Sequence, residues 1–398
     1  MLSVGIFTYS TKPRGSVVHA AYLAEALQRA GAEATLYALS KPGDDFYRPV
    51  SCPLRLIPAQ AAPSQMDALI RQRIAEFQHG LQELQPRHDV CHAEDCLAAN
   101  ALVASKAALG SAALVRTMHH VEHFESPYLS ACQERSVAAA DLVLSVSEVT
   151  RGDVLATFGR AAPVISNGVD FARFAVPSQQ AEASLAQRLG LEPGELLILS
   201  VGGVEARKNS LAALEAVALA HAKAPRLRWL IAGGASIWEH ETYRAAFAAR
   251  LAQLPAELRA RISVLGTVSE AELTALYQLS DVLLCPSLRE GFGLCVLEAM
   301  AARSAVVVPC GAPFDEYLDE HCAVFVDPRS PSEISSALLR LLREPAERQR
   351  LVESGHERAR RHSWDRVAER HLARYEALLR PALPALKGSA FITLKSGV

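Results

Sequence analysis

Two glutamates, Glu290 and Glu298, stand eight positions apart in the segment SLREGFGLCVLEAMA (287–301) and flank Gly291-Phe292-Gly293. Their surroundings are apolar, and a carboxylate buried there without a partner is costly. As a pair they can accept hydrogen bonds from hydroxyls on two parts of one ligand, each charged acceptor contributing about 1.5–3 kcal/mol. Gly291 and Gly293 let the backbone approach that ligand closely, and a helix starting near Gly293 offers unpaired N–H groups to an anion. Glu298, one turn into the helix, leans back toward the same end. An ordinary strand–turn–helix with a surface glutamate at each end would show the same spacing. A dinucleotide fingerprint does not fit, because Val296 occupies the place of its third glycine.

Positioning such a loop takes a strand before it and a helix after it, and the chain supplies that alternation throughout. Strands are expected at VGIFTY, ATLYAL, LRLI, DVCH, ALVRTM, DLVLSV and PVIS, then at LLILSV, LRWLIAG, ISVLG, DVLLC, AVVVP and AVFV. Strands apolar throughout, separated by helical patterns such as 20–30 and 66–84, indicate parallel sheets covered on both faces. Ser269 with Glu272 and Ser330 with Glu333 have capping-box spacing, and Pro331 suits a first helical position. Trp364, Val367, Leu372, Tyr375, Leu378 and Leu379 trace one face of a final helix. The stretch 169–195, with Pro177, SQQAEAS and Pro193-Gly194, reads as the linker between two α/β units.

Composition narrows the function. The chain has 398 residues, 50% of them apolar, and 41 Lys plus Arg against 43 Asp plus Glu give a net charge of −2. That balance argues against a partner recognised by broad phosphate neutralisation, so no nucleic acid is expected. No run of about eighteen apolar residues suggests a transmembrane segment, which leaves peripheral membrane contact open. No basic region precedes the first apolar run, so a secretory signal is not expected. The eight cysteines have no Cys-x-x-Cys pair and several sit in apolar runs such as DVLLC and AVVVPC, as reduced core residues of a cytoplasmic protein do.

Other segments carry candidate chemistry. In RTMHHVEHF, His119, Glu122 and His123 match the His-x-x-Glu-His spacing of inverted zinc peptidases, which needs one continuous helix and a further ligand. A strand precedes them directly and Pro127 follows, so a loop is expected. HAEDC ends a strand of the first unit, where Glu94 and Asp95 read by default as surface charges. His19 reads as a core or surface histidine, and Lys12 and Arg14 as loop charges. Neither Asp-x-Asp nor a Cys/His set with metal-site spacing occurs.

Pro286, Ser287, Glu290, Gly291, Phe292, Gly293 and Glu298 resemble the signature of the family 4 glycosyltransferases, retaining enzymes of the GT-B fold. The resemblance covers nearly the whole chain. It implies that Glu290 bonds the donor sugar's hydroxyls, and that Glu298 bonds the ribose of its nucleotide. SNGVDFARF (166–174) resembles the family's turn at the domain junction. SVGGVEARKN (200–209) resembles the loop that clamps the diphosphate, with Lys208 as the phosphate lysine and Arg207 beside it. Gly203 stands where many relatives carry arginine, so either Arg207 supplies that charge or the diphosphate is held less tightly. STKPRGSVVHA resembles the Gly-Gly loop of the first domain: Gly15 matches, whereas Ser16 replaces the second glycine and is expected to restrict the backbone. His119 matches a histidine lining the catalytic centre, with His120 as the lesser alternative, and Glu316 is a candidate for framing the donor pocket. The resemblance also makes Glu94 and Asp95, at a similar strand end of the domain where the family's acceptors bind, acceptor-site candidates.

The resemblance thus implies two Rossmann-like α/β domains with a deep interdomain cleft. Residues 1–168 would bind the acceptor and 169–365 the nucleotide-sugar, 366–382 would cross back as a helix, and 383–398 form a tail. The expected catalytic residues are His119, Lys208 and Glu290. The expected donor-binding residues are Gly15, Ser16, Arg207, Lys208, Glu290, Gly291, Phe292, Gly293, Leu294 and Glu298. The donor is a UDP- or GDP-sugar, the acceptor a hydroxyl of a small molecule, lipid or glycan, and no metal or other cofactor is required. A non-catalytic nucleotide-sugar-binding protein of the same fold and a zinc hydrolase built on His119, Glu122 and His123 are the alternatives.

Overall fold

The computed structural model describes residues 1–234 and 241–380; the tail expected at 383–398 lies outside them. The first sheet is made by β1 (Ser3–Thr8), β2 (Glu33–Ser40), β3 (Leu54–Pro58), β4 (Val90–Ala93), β5 (Ala113–Met118) and β6 (Leu142–Ser145), in the order β3-β2-β1-β4-β5-β6. The second is made by β7 (Leu196–Val201), β8 (Leu227–Ala232), β9 (Ile262–Gly266), β10 (Val282–Leu284), β11 (Ala305–Pro309) and β12 (Val324–Val326), in the order β12-β11-β10-β7-β8-β9. Every pairing in both is parallel. Read from the other edge, the second order repeats the first. Each sheet therefore reverses direction once, between β1 and β4 and between β7 and β10, and ligands of such sheets bind outside those strand ends.

The apolar strands are buried because helices cover both faces. β11 (AVVVP) is buried at every position, and its neighbour β10 likewise. The Ala-rich helix Gly15–Arg29 packs beside β1 and β2, its small side chains allowing close approach. The final helix Trp364–Leu379 lies against that same helix, with Trp364, Val367, Ala368 and Tyr375 inside the first sheet's core.

The chain passes between the sheets twice, and the two passages touch. Val169 N–H donates to the His362 carbonyl at 2.7 Å. A Cβ on Gly168 would stand 2.6 Å from the Trp364 backbone nitrogen, so only glycine lets these strands of chain cross.

Several local expectations differ from the structure. PVIS forms no strand; it leaves one parallel bridge to the edge strand β6, Ser145 with Val164. The stretch 169–195 is not an open linker, since Phe171–Ala175 and Gln179–Leu189 are helical and bury Phe174 and Leu185. Ser269 and Glu272 complete a reciprocal capping box, whereas Glu333 turns to the Asp327 amide instead of back to Ser330. Cys310, expected in the core, is exposed.

Candidate active site at the seam of the two sheets

Lys208 and Glu290 follow β7 and β10, the two strands at the reversal point of the second sheet. Lys208 Nζ donates to Glu290 Oε1 at 2.5 Å, Ser287 Oγ donates to the same oxygen at 2.9 Å, and Arg207 Nη1 stands 3.1 Å from it. Burial alone would raise the Glu290 carboxyl, but the two cations and the hydroxyl overcome it and hold the group at about 2. Burial likewise works against the Lys208 charge, and Glu290 reverses that, so the ammonium is firmly held. Two positive groups thus converge on the buried Glu290 carboxylate, and Arg207, whose side chain is 43% exposed, also meets Glu205 at 3.3 Å.

The backbone shapes that cluster. Gly202, at φ +119°, leaves room for the lysine stem: a Cβ there would come within 2.5 Å of Lys208 Cε. Gly203, at φ +79°, lies against the carbonyls of Gly233 and Gly234, each 2.9 Å from a built Cβ. An arginine does not fit at this position, and the second cation beside Glu290 is Arg207. Asn209, in the left-handed region at φ +59°, anchors the turn by donating to the Pro286 and Pro328 carbonyls at 3.2 and 2.6 Å. Sequence reasoning passed over Asn209.

Glu298 lies in the helix Leu294–Ala301 and is nearly buried. Tyr277 O–H donates to its Oε2 at 2.7 Å. Burial pushes this carboxyl up, against that bond and the positive charges of Arg173 and Lys208. Lys208 therefore acts on both glutamates. Gly293 caps the same helix at φ +92°, and no side chain caps its N-terminus. The Phe292 ring stacks on Tyr317 at 4.6 Å, and the Tyr317 hydroxyl donates to the Phe292 carbonyl at 2.9 Å. Leu294 packs partly buried at the boundary of both cores.

The first sheet presents its own reversal point to this loop. A Cβ on Gly291 would fall 1.9 Å from the His119 carbonyl oxygen, so the glycine loop rests directly on the end of β5. Arg289 donates to the Val121 carbonyl, and Glu316 accepts from the Glu148 and Val149 amides at 2.9 Å or less. Glu316 thus caps a first-domain helix, Glu148–Phe158, and ties the domains instead of framing a pocket. Gly15 opens the helix Gly15–Arg29, again with no side-chain cap. Ser16 lies inside that helix, where any residue adopts the backbone, so its replacement of glycine imposes no restriction.

Glu94 and Asp95 depart most from expectation. Neither is a surface charge. Asp95 caps the helix Cys96–Ala104 through the Ala98 amide at 2.8 Å and takes the Tyr9 amide at 2.8 Å, so each of its oxygens holds a backbone amide. Glu94 is wholly buried, with Oε2 2.9 Å from both His119 Nε2 and His19 Nδ1. The signal available was an acid directly before an apolar helical run, a helix-start pattern. His19, read in the sequence as a core or surface histidine, is a core one and meets Glu94 beside His119. His19, Glu94 and His119 bring ligating atoms within 4.8 Å of one another. The His119–Glu122–His123 zinc reading fails on geometry, because 119–126 is not helical, His123 is exposed, and Glu122 pairs with His120 at 2.7 Å.

Comparison with known proteins bears on this arrangement. The family model Glycosyltransferase Family 4 matches residues 13–173, and the model Glycosyl transferases group 1 matches 182–358. The chain belongs to glycosyltransferase family 4. A D-inositol 3-phosphate glycosyltransferase from Corynebacterium urealyticum is 26% identical over 96% of this chain and 88% of its own length. That of Salinispora tropica is 29% identical over 60% of this chain, which spans about half, 51%, of that relative. The O-antigen chain mannosyltransferase B of Escherichia coli is 26% identical over 66% of this chain and 70% of its own. Among solved structures, Anabaena HepE in complex with UDP and glucose superposes with a TM-score of 0.76 at 17% identity, over 95% of this chain and all of that one. A sucrose-phosphate synthase from Thermosynechococcus elongatus gives 0.76 at 20% identity over 95% and 99%. The fold of this family 4 member is GT-B, two parallel six-stranded sheets facing across a seam.

Proposed function

We propose that this protein is a retaining glycosyltransferase that moves a sugar from a UDP- or GDP-sugar to an acceptor hydroxyl without a metal ion. The observation that carries the reading is the pair of cations, Lys208 and Arg207, converging on Glu290 where the glycine loop meets His119. As the sugar C–O bond breaks, negative charge builds on the diphosphate. Lys208, Arg207 and the N–H groups beyond Gly293 are fixed donors for that charge, and preorganised donors of this kind act mainly on the transition state. Glu290, kept ionised, accepts hydroxyls of the donor sugar; Glu298 accepts those of the ribose. Acceptors reach the sugar from the first domain, past His119.

Names among the relatives support a nucleotide-sugar donor: HepE has been solved with UDP-glucose, and the curated relatives are named for sugar transfer. Retention is part of the proposal, supported by family membership. The acceptor hydroxyl attacks from the leaving-group side and passes its proton to the departing phosphate. Among the described residues no helix is long and apolar enough to cross a membrane. Cytoplasmic placement fits the free cysteines.

The test is a thermal-shift screen of UDP- and GDP-sugars followed by donor hydrolysis. A binding donor raises the melting temperature by mass action, and slow release of free sugar marks a catalyst. Stabilisation with no release over hours indicates a sensor of the same fold. No stabilisation by any nucleotide-sugar rejects the reading.

A further inference from the structure

Glu94 is a wholly buried carboxylate within hydrogen-bond distance of His119. It follows β4, the strand beside β1 at the reversal point of the first sheet, so it sits under the seam and not on it. Its Oε2 is the acceptor for His119 Nε2 at 2.9 Å. His19 approaches the same oxygen from the helix Gly15–Arg29, and His92 Nε2 stands 3.6 Å from Oε1. His92 is itself fixed, between Thr117 Oγ1 at 2.7 Å and the Tyr375 hydroxyl at 2.5 Å. His371 packs behind it with Nδ1 on the Val367 carbonyl at 2.8 Å.

Of these four histidines only the His119 side chain has appreciable exposed surface, 15%, and its backbone carbonyl meets Gly291 of the glycine loop. Its partner is fully buried. Burial drives His119 down to about 4, against the bond from Glu94, while the surrounding imidazoles outweigh burial at Glu94 and keep it ionised. A neutral imidazole carries one N–H, and the bond made by one nitrogen decides which.

We infer that Glu94 is a positioning residue for His119: it holds the ring's proton on Nε2, so that Nδ1 is left as a lone-pair acceptor for a hydroxyl of the donor sugar or acceptor at the seam. This rests on the glycosyltransferase reading for the identity of the hydroxyl, but not for the tautomer. The assignment deepens the site in a specific way. His119 serves as an acceptor of fixed direction, not as a cation facing the diphosphate, and the wrong tautomer would present N–H to a hydroxyl that needs an acceptor. His19 and His92 supply the polar contacts that make an ionised carboxylate tolerable there, where an unpaired one would be prohibitive.

The same three side chains, His19, Glu94 and His119, match the donor set of a divalent transition metal, and the experiment separates the two uses. Long-range nitrogen–proton correlation on histidine-labelled protein, with His119 assigned by loss of its signals in His119→Asn, reads the tautomer without turnover. Hydrolysis of UDP-glucose and GDP-mannose is followed in parallel for wild type, Glu94→Gln and Glu94→Asp, with UDP and GDP affinity measured by calorimetry.

The expected wild-type spectrum shows His119 protonated on Nε2 alone. Glu94→Gln should mix or invert the tautomer and lower kcat at least about 10-fold, as loss of an orienting carboxylate does. KM and nucleotide affinity should stay within about threefold, and Glu94→Asp should recover part of both kcat and tautomer. A wild-type Nδ1–H tautomer overturns the proposal. So does an unchanged kcat in folded Glu94→Gln, or a loss of kcat with the tautomer untouched. One equivalent of zinc in the purified protein, lost together with its affinity in Glu94→Gln, assigns the cluster to a metal instead. Absence of hydrolysis and of nucleotide binding in wild type rejects the donor assignment alone, because the tautomer is still read.

Discussion

Lys208 Nζ and Glu290 Oε1 lie 2.5 Å apart, joined from loops that leave adjacent strands of the second sheet. Each needs the other in the absence of ligand, since both are largely buried and Arg207 is the other charge within ion-pair distance of Glu290. A diphosphate arriving at Lys208 adds an anion beside the two cations that converge on Glu290, one of which, Arg207, also meets Glu205. Lys208→Ala should lower turnover by about 10²–10³-fold, the usual cost of removing one donor to a developing oxyanion. Steady-state hydrolysis of the donor checks this; a change below threefold in folded protein would remove Lys208 from the chemistry.

The two glutamates should respond to pH with opposite signs. Glu290 is depressed to about 2, so its contribution to stability is complete above the ordinary carboxyl range and is lost as pH falls from there toward 2. Glu298 is raised, so whatever it contributes is present at low pH and lost as pH rises through its folded value. Melting temperatures between pH 3 and 7 should therefore fall less steeply on acidification in Glu290→Gln than in wild type. Glu298→Gln should be neutral or stabilising at pH 7.

Glu298→Gln should at the same time weaken nucleotide binding, because a neutral acceptor replaces a charged one on the ribose. A drop of about 5- to 50-fold in UDP or GDP affinity is expected from the strength of charge-assisted bonds. Calorimetric titration reads it directly, and an unchanged affinity would detach Glu298 from the nucleotide.

Gly291→Ala tests whether the seam itself is needed. The added methyl carbon would overlap the His119 carbonyl oxygen, 1.9 Å away, so the loop and β5 must separate. Nucleotide binding depends on the second domain and should persist within about threefold, whereas turnover needs both domains and should fall at least about 10²-fold. Equal losses in both would show that the substitution damaged the second domain alone.

Much of this was legible from local pattern. The alternation of apolar strands and helices gives the parallel sheets, since burial on both faces leaves no polar period to confuse them. Glu290, Gly293 and Lys208 are legible because each sits in a local strand–loop–helix pattern, although the pairing of Lys208 with Glu290 spans 82 positions. Glu94 and His19 were not, because their meaning depends on strand order: only the reversal between β1 and β4 brings a helix histidine over a carboxylate seventy-five positions away. Asp95 was misread for a different reason, a helix-capping acid that resembles a surface charge until its two amide partners are seen. The helices within 169–195 were hidden by flanking prolines, although Ser178 before QQAEASLAQRL is a serviceable helix start.

Chelator is expected to leave turnover unchanged, since Lys208, Arg207 and helix N–H groups carry the proposed neutralisation. Activity assays with and without EDTA decide it. Abolition that zinc reverses would move the His19–Glu94–His119 cluster from hydrogen bonding to metal ligation.

The central claim is that a sugar nucleotide's diphosphate binds at Lys208, and calorimetric titration of wild type and Lys208→Ala with UDP and GDP tests it most directly. The account predicts that one of the two nucleotides binds wild type and that the substitution weakens it by about 10-fold or more, as loss of a charged donor does. Equal affinity for wild type and Lys208→Ala, or no binding of either nucleotide to wild type, would contradict it.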